Sequence, residues 1–386
     1  MIAKSIKGKT PEEIQSALKQ SMEDGFKPTL AIVFPSISQD RESICKLLDI
    51  NGIAIFGATT NGEFINDEKD TDSTAIMLLD IKPEYFTLFF DEFQHENFSE
   101  VAESIANKSR EKFQKPALLI VASNFSTDAE AVITGFEQVL GKELNIFGGM
   151  AGDNYSFTEQ FVFTNHKSSS KGILALVLDE SKILIKGRAT HGWKAVGTPK
   201  TVTKSEGNHV YTVDDIPVLN LTRKYGGLEE LSESKIDSFE ELGLIATNFP
   251  LQLQREKGAP VMRPGLRIDW TDGSFYCGGK VPQGSKIRFS LPPDFDVIEK
   301  VVDNLKELKE KEIPDADAVI VFSCAGRQVS LGPLIGEEIK GIYNIWKAPM
   351  AGFFCNGEIA RATDGNNDLH NLTACCVVLK EKNNEQ

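Results

Sequence analysis

The pattern Gly-x-x-x-Asn-Gly-Glu-apolar occurs twice, far apart in the chain. It reads Gly57-Ala58-Thr59-Thr60-Asn61-Gly62-Glu63-Phe64 and Gly352-Phe353-Phe354-Cys355-Asn356-Gly357-Glu358-Ile359. Each copy follows a short apolar run. An apolar strand running into glycines can turn with positive φ and present a polar tip. Strand ends of this kind are where open α/β sheets hold ligands. The two loops are therefore expected to lie on equivalent elements related by approximate internal symmetry.

The surrounding chain repeats one plan. Thr29-Leu30-Ala31-Ile32-Val33-Phe34-Pro35-Ser36 reads as a buried strand, Asp40 to Leu48 as a helix, and Gly52 to Phe56 as the strand delivering the first loop. Strand Pro116 to Ser123, helix Asp128 to Leu140 and the segment Leu144 to Asp153 form a second, weaker copy. Strand Ala318 to Ser323, helix Leu334 to Ile342 and the segment Trp346 to Glu358 form a third. The spacing from strand-end serine to motif glycine varies, so these are supersecondary units and not a solenoid. Thr10 before Pro11 predicts a first helix to Gln20. Gln160 to Thr164, Gly172 to Leu178 and Lys182 to Arg188 read as an antiparallel series, and residues 226–242 as a polar, acidic boundary.

The chain has 386 residues and a net charge of −14, which argues against partners bound through nucleic-acid phosphates or anionic lipid. No apolar run reaches the roughly 18 residues of a membrane helix, and no signal peptide is read at the N-terminus. The six cysteines are scattered, as in reduced cytosolic proteins. A cytoplasmic protein is expected.

P-loop, dinucleotide-binding, zinc-pair and nucleophile-elbow spacings are absent. What remains are polar residues at strand ends: Thr59, Thr60, Asn61 and Glu63; Gly149 and Asp153; Ser323, Cys324 and Arg327; Cys355, Asn356 and Glu358. Lining one cleft, a Glu and Arg327 would clamp the amine and carboxylate of an amino-acid-like ligand. Alternatively, Asn-Gly makes the turn and Glu caps the next helix. His191, in His191-Gly192-Trp193, is the histidine of most functional interest, as a strand-end hydrogen-bonding group or a haem ligand. Cys324 or Cys355 as a thiol nucleophile would need a base to make thiolate.

These residues resemble the FIST sensory-domain family. The resemblance rests on the first loop; on Phe147-Gly148-Gly149-Met150-Ala151-Gly152-Asp153; and on His191-Gly192-Trp193-Lys194-Ala195-Val196-Gly197 with Val202-Thr203. It continues through Arg263-Pro264-Gly265-Leu266-Arg267-Ile268-Asp269, Asp272-Gly273-Ser274, Val281-Pro282-Gln283-Gly284, Phe322-Ser323-Cys324-Ala325-Gly326-Arg327, and Ala351 to Ala360. It implies a signal-input module that binds a small ligand, an amino acid among the candidates. Some relatives bind haem and respond to nitric oxide. Members are often fused to chemoreceptor, kinase or cyclic-dinucleotide modules. No such output domain is read in this chain, so a separate kinase or chemoreceptor is the expected partner.

The combined expectation is an α/β protein with mixed β-sheets and flanking helices in layers, built on internally duplicated strand–helix–strand units. Residues 1–28 would be an N-terminal helical extension, 29–225 a FIST N-like domain and 226–380 a FIST C-like domain. The function expected is ligand sensing. A thiol-dependent enzyme and a haem-binding nitric oxide sensor are the alternatives, and no cofactor is required.

Overall fold

The computed structural model describes residues 1–123, 127–228, 243 and 246–382. Mixed β-sheets with flanking helices are what it shows. Three of the sheets have six strands each and share one order. In the first, Leu30–Pro35 and Ala54–Ala58 lie parallel, joined by helix Arg41–Ile50; Thr74–Asp80 pairs antiparallel to the former, and Ile2–Gly8 closes that edge. In the second, Pro116–Ala122 and Ile146–Met150 are the parallel pair around helix Ala129–Leu140, with Gly172–Asp179 and Phe86–Glu92 outside. In the third, Ala318–Cys324 and Met350–Cys355 are parallel around helices Ala325–Leu331 and Ile335–Trp346, with Ala374–Glu381 and Ile183–Thr190 outside.

Each glycine loop then leaves its own sheet and places two short strands on the edge of a neighbour. Glu63–Ile65 and Glu68–Asp70 join the third sheet, where Glu63 faces Phe353. Glu358–Arg361 and Asn367–His370 join the second, where Glu358 faces Gly149. Val162–Phe163 and Ser168–Ser169 join the first, where Phe163 faces Gly57. The exchange is cyclic. A Cβ on Gly57 would lie 2.4 Å from the Phe163 ring, and one on Gly352 would lie 2.5 Å from the Phe64 ring. Glycine at the head of each motif is thus what lets the incoming aromatic pack on the strand.

The central strands are apolar on both faces, as sheets covered on both sides require. One face of each sheet meets the others in a shared core, where Phe34 lies 4.5 Å from Phe353 and 6.2 Å from Phe322 between ring centroids. The helices cover the outer faces, and helix Asp296–Lys311 buries Val297, Val301, Leu305 and Leu308 at the expected helical spacing. A fourth, eight-stranded antiparallel sheet is formed by strands within residues 195–290. No helix among the described residues is long and apolar enough to cross a membrane.

Several expectations are corrected. Residues 1–28 are not a purely helical extension: Ile2–Gly8 is a strand of the first sheet, because its alternate residues pack over helix Pro11–Ser21 and its backbone pairs along Thr74–Asp80. Thr10 does cap that helix, accepting from Glu13 N at 3.2 Å. The strands between residues 160 and 190 are no antiparallel series, since Val162–Phe163, Gly172–Asp179 and Ile183–Thr190 belong to three different sheets. The acidic boundary lies, from residue 229 to 242, outside the described residues. Three of the four sheets among the described residues mix strands from both sides of position 225.

Candidate functional site

The three glycine loops meet. Asn61 N donates to Phe354 O at 2.9 Å, Asn356 N to Met150 O at 3.0 Å, and Gly152 N to Thr59 O at 2.8 Å. Asn61 Nδ2 donates to Asn356 Oδ1 at 2.8 Å, and Asn356 Nδ2 donates to Ala151 O at 2.8 Å. Asn61 Oδ1 accepts from Asp153 N and Tyr155 N. Loops of this sequence turn sharply because Gly62 takes φ of 119° and Asn154 a left-handed 54°.

The two motif glutamates are buried beside the junction in matching surroundings. Glu63 accepts from Thr60 Oγ1 at 2.8 Å and from Ser73 N and Oγ at 2.7 Å. Glu358 accepts from Cys355 Sγ at 3.1 Å and Thr373 Oγ1 at 2.7 Å. Burial pushes Glu63 up to about 7 and Glu358 up to about 8. Neither Glu caps a helix, and neither lines an open cleft. Thr59 Oγ1 donates to Gly152 O. Asp153 accepts from Phe157 N, Thr158 N and Gln160 Nε2. A Cβ on Gly149 would be tight, 3.0 Å from the Phe322 ring and 3.1 Å from Cys355 Sγ. Ser323 Oγ is buried without a hydrogen-bond partner among the described residues.

Arg327 does not serve as an amino-acid clamp. Its fully buried guanidinium is paired with Glu338, with Nε 2.7 Å from Oε1, and it also donates to His191 O at 2.6 Å and Leu372 O at 3.1 Å. Cys324 and Cys355 are buried too, and burial followed by the Glu358 charge pushes both thiols well above the ordinary range. That is the reverse of what a thiol nucleophile requires. The expected common cleft is therefore absent at the loops among the described residues. The strand ends approach so closely that, Ser323 Oγ apart, their polar groups satisfy one another.

An accessible cavity of about 400 Å³ lies a short step away. His191 and Trp193 line one side, Lys300, Asp303, Asn304 and Glu307 of helix Asp296–Lys311 another, and His370 and Thr373 the floor. Lys300 Nζ donates to Gly192 O at 3.0 Å, and Asn304 Nδ2 to Thr190 Oγ1 at 2.7 Å. His191 Nδ1 accepts from Trp193 N at 3.0 Å, so the ring carries its proton on Nε2. His370 Nε2 faces the carbonyl of Ala360 at 3.1 Å, so its proton sits on Nε2 and leaves Nδ1 as an acceptor. Burial, with Arg327 and Lys300 acting on His191 and Arg263 on His370, lowers both to about 3. The cavity thus offers neutral imidazoles from one side and from its floor. Haem does not fit His191 in this arrangement: an Nε2 ligand needs its lone pair free and its proton on Nδ1, where the Trp193 amide already donates.

Of the sequence-derived candidates, His191 lines this cavity, and Glu358 is one hydrogen bond from it through Thr373. Asn356 lines a separate cavity of about 410 Å³ beside Met150 and Lys280. Thr373, His370, Lys300 and Asn304 escaped sequence reasoning. The available signal was a hydroxyl residue before an apolar run, shared by Ser73-Thr74-Ala75 and Thr373-Ala374-Cys375.

A family model described as the FIST N domain matches residues 29–216, and one described as the FIST C domain matches residues 228–361. No curated protein matches the chain. The two family matches cover most of its length, and the chain belongs to the FIST family, whose domains are sensory domains of signal transduction.

Proposed function

We propose that the chain is a cytoplasmic signal-input protein that binds a small zwitterionic metabolite, an amino acid or a close relative, in the cavity beside His191. The observation that carries this reading is the make-up of that cavity. Lys300 offers a cation for a carboxylate, Asp303 and Glu307, whose nearest partners are the exposed Lys306 and Lys311 of the same helix, offer anions for an ammonium group, and the neutral His191, His370 and Thr373 offer donors and an acceptor for an uncharged side chain. Ala189–Trp193 falls within the FIST N match, while Ala259, helix Asp296–Lys311 and Ala362 fall on the C-terminal side. A ligand held between them favours one local arrangement of helix Asp296–Lys311 against the segment Ala189–Trp193. Thr373 is the link inward, because its hydroxyl donates to Glu358 of the motif loop. The output passes to a separate protein such as a kinase or chemoreceptor.

Scanning calorimetry of the whole chain against a panel of amino acids tests the reading. Linkage raises stability by about 2.7 kcal/mol at a ligand concentration about 100 times Kd, so a binder gives a saturable rise in Tm. The rise should vanish in the double variant Lys300→Ala, Asp303→Ala. No shift with any member of the panel would sink the proposal.

A further inference from the structure

A second polar cavity, of about 410 Å³, adjoins the first and shares Ala362 and Thr363 with it. Asn304 stands at the division, its Oδ1 accepting from Arg188 Nη1 at 2.9 Å and Thr363 Oγ1 at 3.1 Å. Four basic side chains line this cavity, namely Lys186, Arg188, Lys257 and Arg361, against three acidic ones, Glu143, Glu312 and Asp364. Such a gathering of cations runs against the chain's charge of −14.

The acids do not neutralise the cavity evenly. Glu312 is shared, its Oε1 2.7 Å from Arg188 Nη2 and its Oε2 3.5 Å from Lys186 Nζ. Arg361 pairs with Glu143 at 3.0 Å, but the Glu143 side chain is 94% exposed, so water competes fully for it. Lys257 makes no ion pair or hydrogen bond with any described residue. Arg188, in contrast, is buried and fixed by Asn304 and Glu312. One rigid, buried guanidinium, a second guanidinium held at Nε by Asn367 Oδ1 and at Nη2 by Lys142 O, and one ammonium without a partner among the described residues thus border a polar space that Asp364 also lines.

We infer that this cavity is an oxyanion site, taking the phosphate or carboxylate group of a small metabolite between Lys257 and Arg361, with Arg188 behind. Arg361, oriented by its bonds to Asn367 and Lys142, exchanges its solvent-exposed carboxylate partner for a charge-assisted contact to the bound oxyanion. The site does not depend on the zwitterion cavity, since neither Lys257 nor Arg361 lines that one.

Titration calorimetry of the full chain, with inorganic phosphate and with acetate as probes at constant ionic strength, tests the inference. Saturable binding of phosphate alone assigns a phosphate-bearing ligand, and equal binding of acetate assigns a carboxylate. In either case Lys257→Ala with Arg361→Ala should weaken binding by about tenfold or more, because two charge-assisted contacts are lost. Lys19→Ala, on the distant helix Pro11–Ser21, should leave binding unchanged. Absence of saturable heat with both probes, or unaltered binding in the double variant, would overturn the assignment. Circular dichroism of the double variant separates loss of binding from loss of fold.

Discussion

Asn61 and Asn356 stand 295 positions apart in the chain, yet their side chains are bonded to each other, Nδ2 to Oδ1, at 2.8 Å. Each is the Asn of an Asn-Gly-Glu loop. Gly152 takes the corresponding place in the third loop, as the cyclic set of backbone bonds from Asn61, Asn356 and Gly152 shows. The motif is therefore the tie by which three sheets are fastened at one point. Its polar residues are chosen for one another more than for solvent.

Replacing Asn61 by Ala removes the acceptor of two backbone amides, Asp153 N and Tyr155 N, and the donor to Asn356. A buried group left unpaired costs about 1–3 kcal/mol. Stability to urea should fall by about 2–4 kcal/mol. A loss below about 0.5 kcal/mol, the range of an ordinary surface change, would refute the tie.

Gly152→Ala approaches the same junction from the steric side. A Cβ there would lie 2.5 Å from Asn61 Nδ2 and 2.6 Å from Asn61 N. One of these contacts is to backbone, so the loop itself must move. Overpacking of this kind costs about 1–3 kcal/mol. Thermal melts should show it, and combining the change with Asn61→Ala should cost less than the sum of the two. Strict additivity would mean that the two residues do not share the junction.

Much of this arrangement is legible in the chain. The parallel pairs announce themselves as apolar runs ending in Ser or Gly, and Thr10 before Pro11 starts a helix where it should. The exchange of short strands is not legible. Glu63–Ile65 and Glu68–Asp70 have three residues each, too few to carry a period, and their sheet is selected by the distant strand Met350–Cys355. The candidate site suffered for the same reason. Treating strand ends as a cleft assumes a gap between sheets, whereas direct backbone bonds close it. Ile2–Gly8 was hidden by Lys4 and Lys7, whose stems lie on the sheet while their charges reach Asp24 and Glu68.

Arg327 and Glu338 form a fully buried pair that also secures His191 O. Removing one partner strands the other charge, at about 3–5 kcal/mol. Arg327→Met should therefore unfold at much lower denaturant than the wild type. Arg327→Met with Glu338→Leu should regain most of the loss. Failure of the second change to rescue would show that the bonds to His191 O and Leu372 O dominate instead.

All six cysteines are buried and none is in a disulfide. Desolvation raises the thiols of Cys45, Cys277, Cys324, Cys355, Cys375 and Cys376. With a thiol reagent at neutral pH the native chain should show almost no fast reaction, while the unfolded chain should titrate all six. A native thiol reacting faster than free cysteine would revive a nucleophilic role for Cys324 or Cys355.

The four buried titrating groups near the junction and cavity pull stability in opposite directions with pH. Unfolded, Glu63 and Glu358 lose their protons near the ordinary 4.5; folded, they hold them to about 7 and about 8. The folded state binds more protons in that window, so their contribution falls as pH rises through it. His191 and His370 do the reverse, since the unfolded rings bind protons below 6.5 and the folded rings only below about 3. Their contribution rises with pH from about 3 to 6.5. Between about pH 4.5 and 6.5 the two trends offset each other, and above 6.5 only the glutamates act. Stability should thus climb to a plateau and then drop by about 2–3 kcal/mol between pH 6.5 and 8. Glu358→Gln cannot ionise and should flatten most of that drop, while Glu63→Gln should remove only its early part. Urea midpoints measured across the range decide the matter: a Glu358→Gln profile parallel to the wild type above pH 6.5 would mean that Glu358 is already ionised in the folded protein.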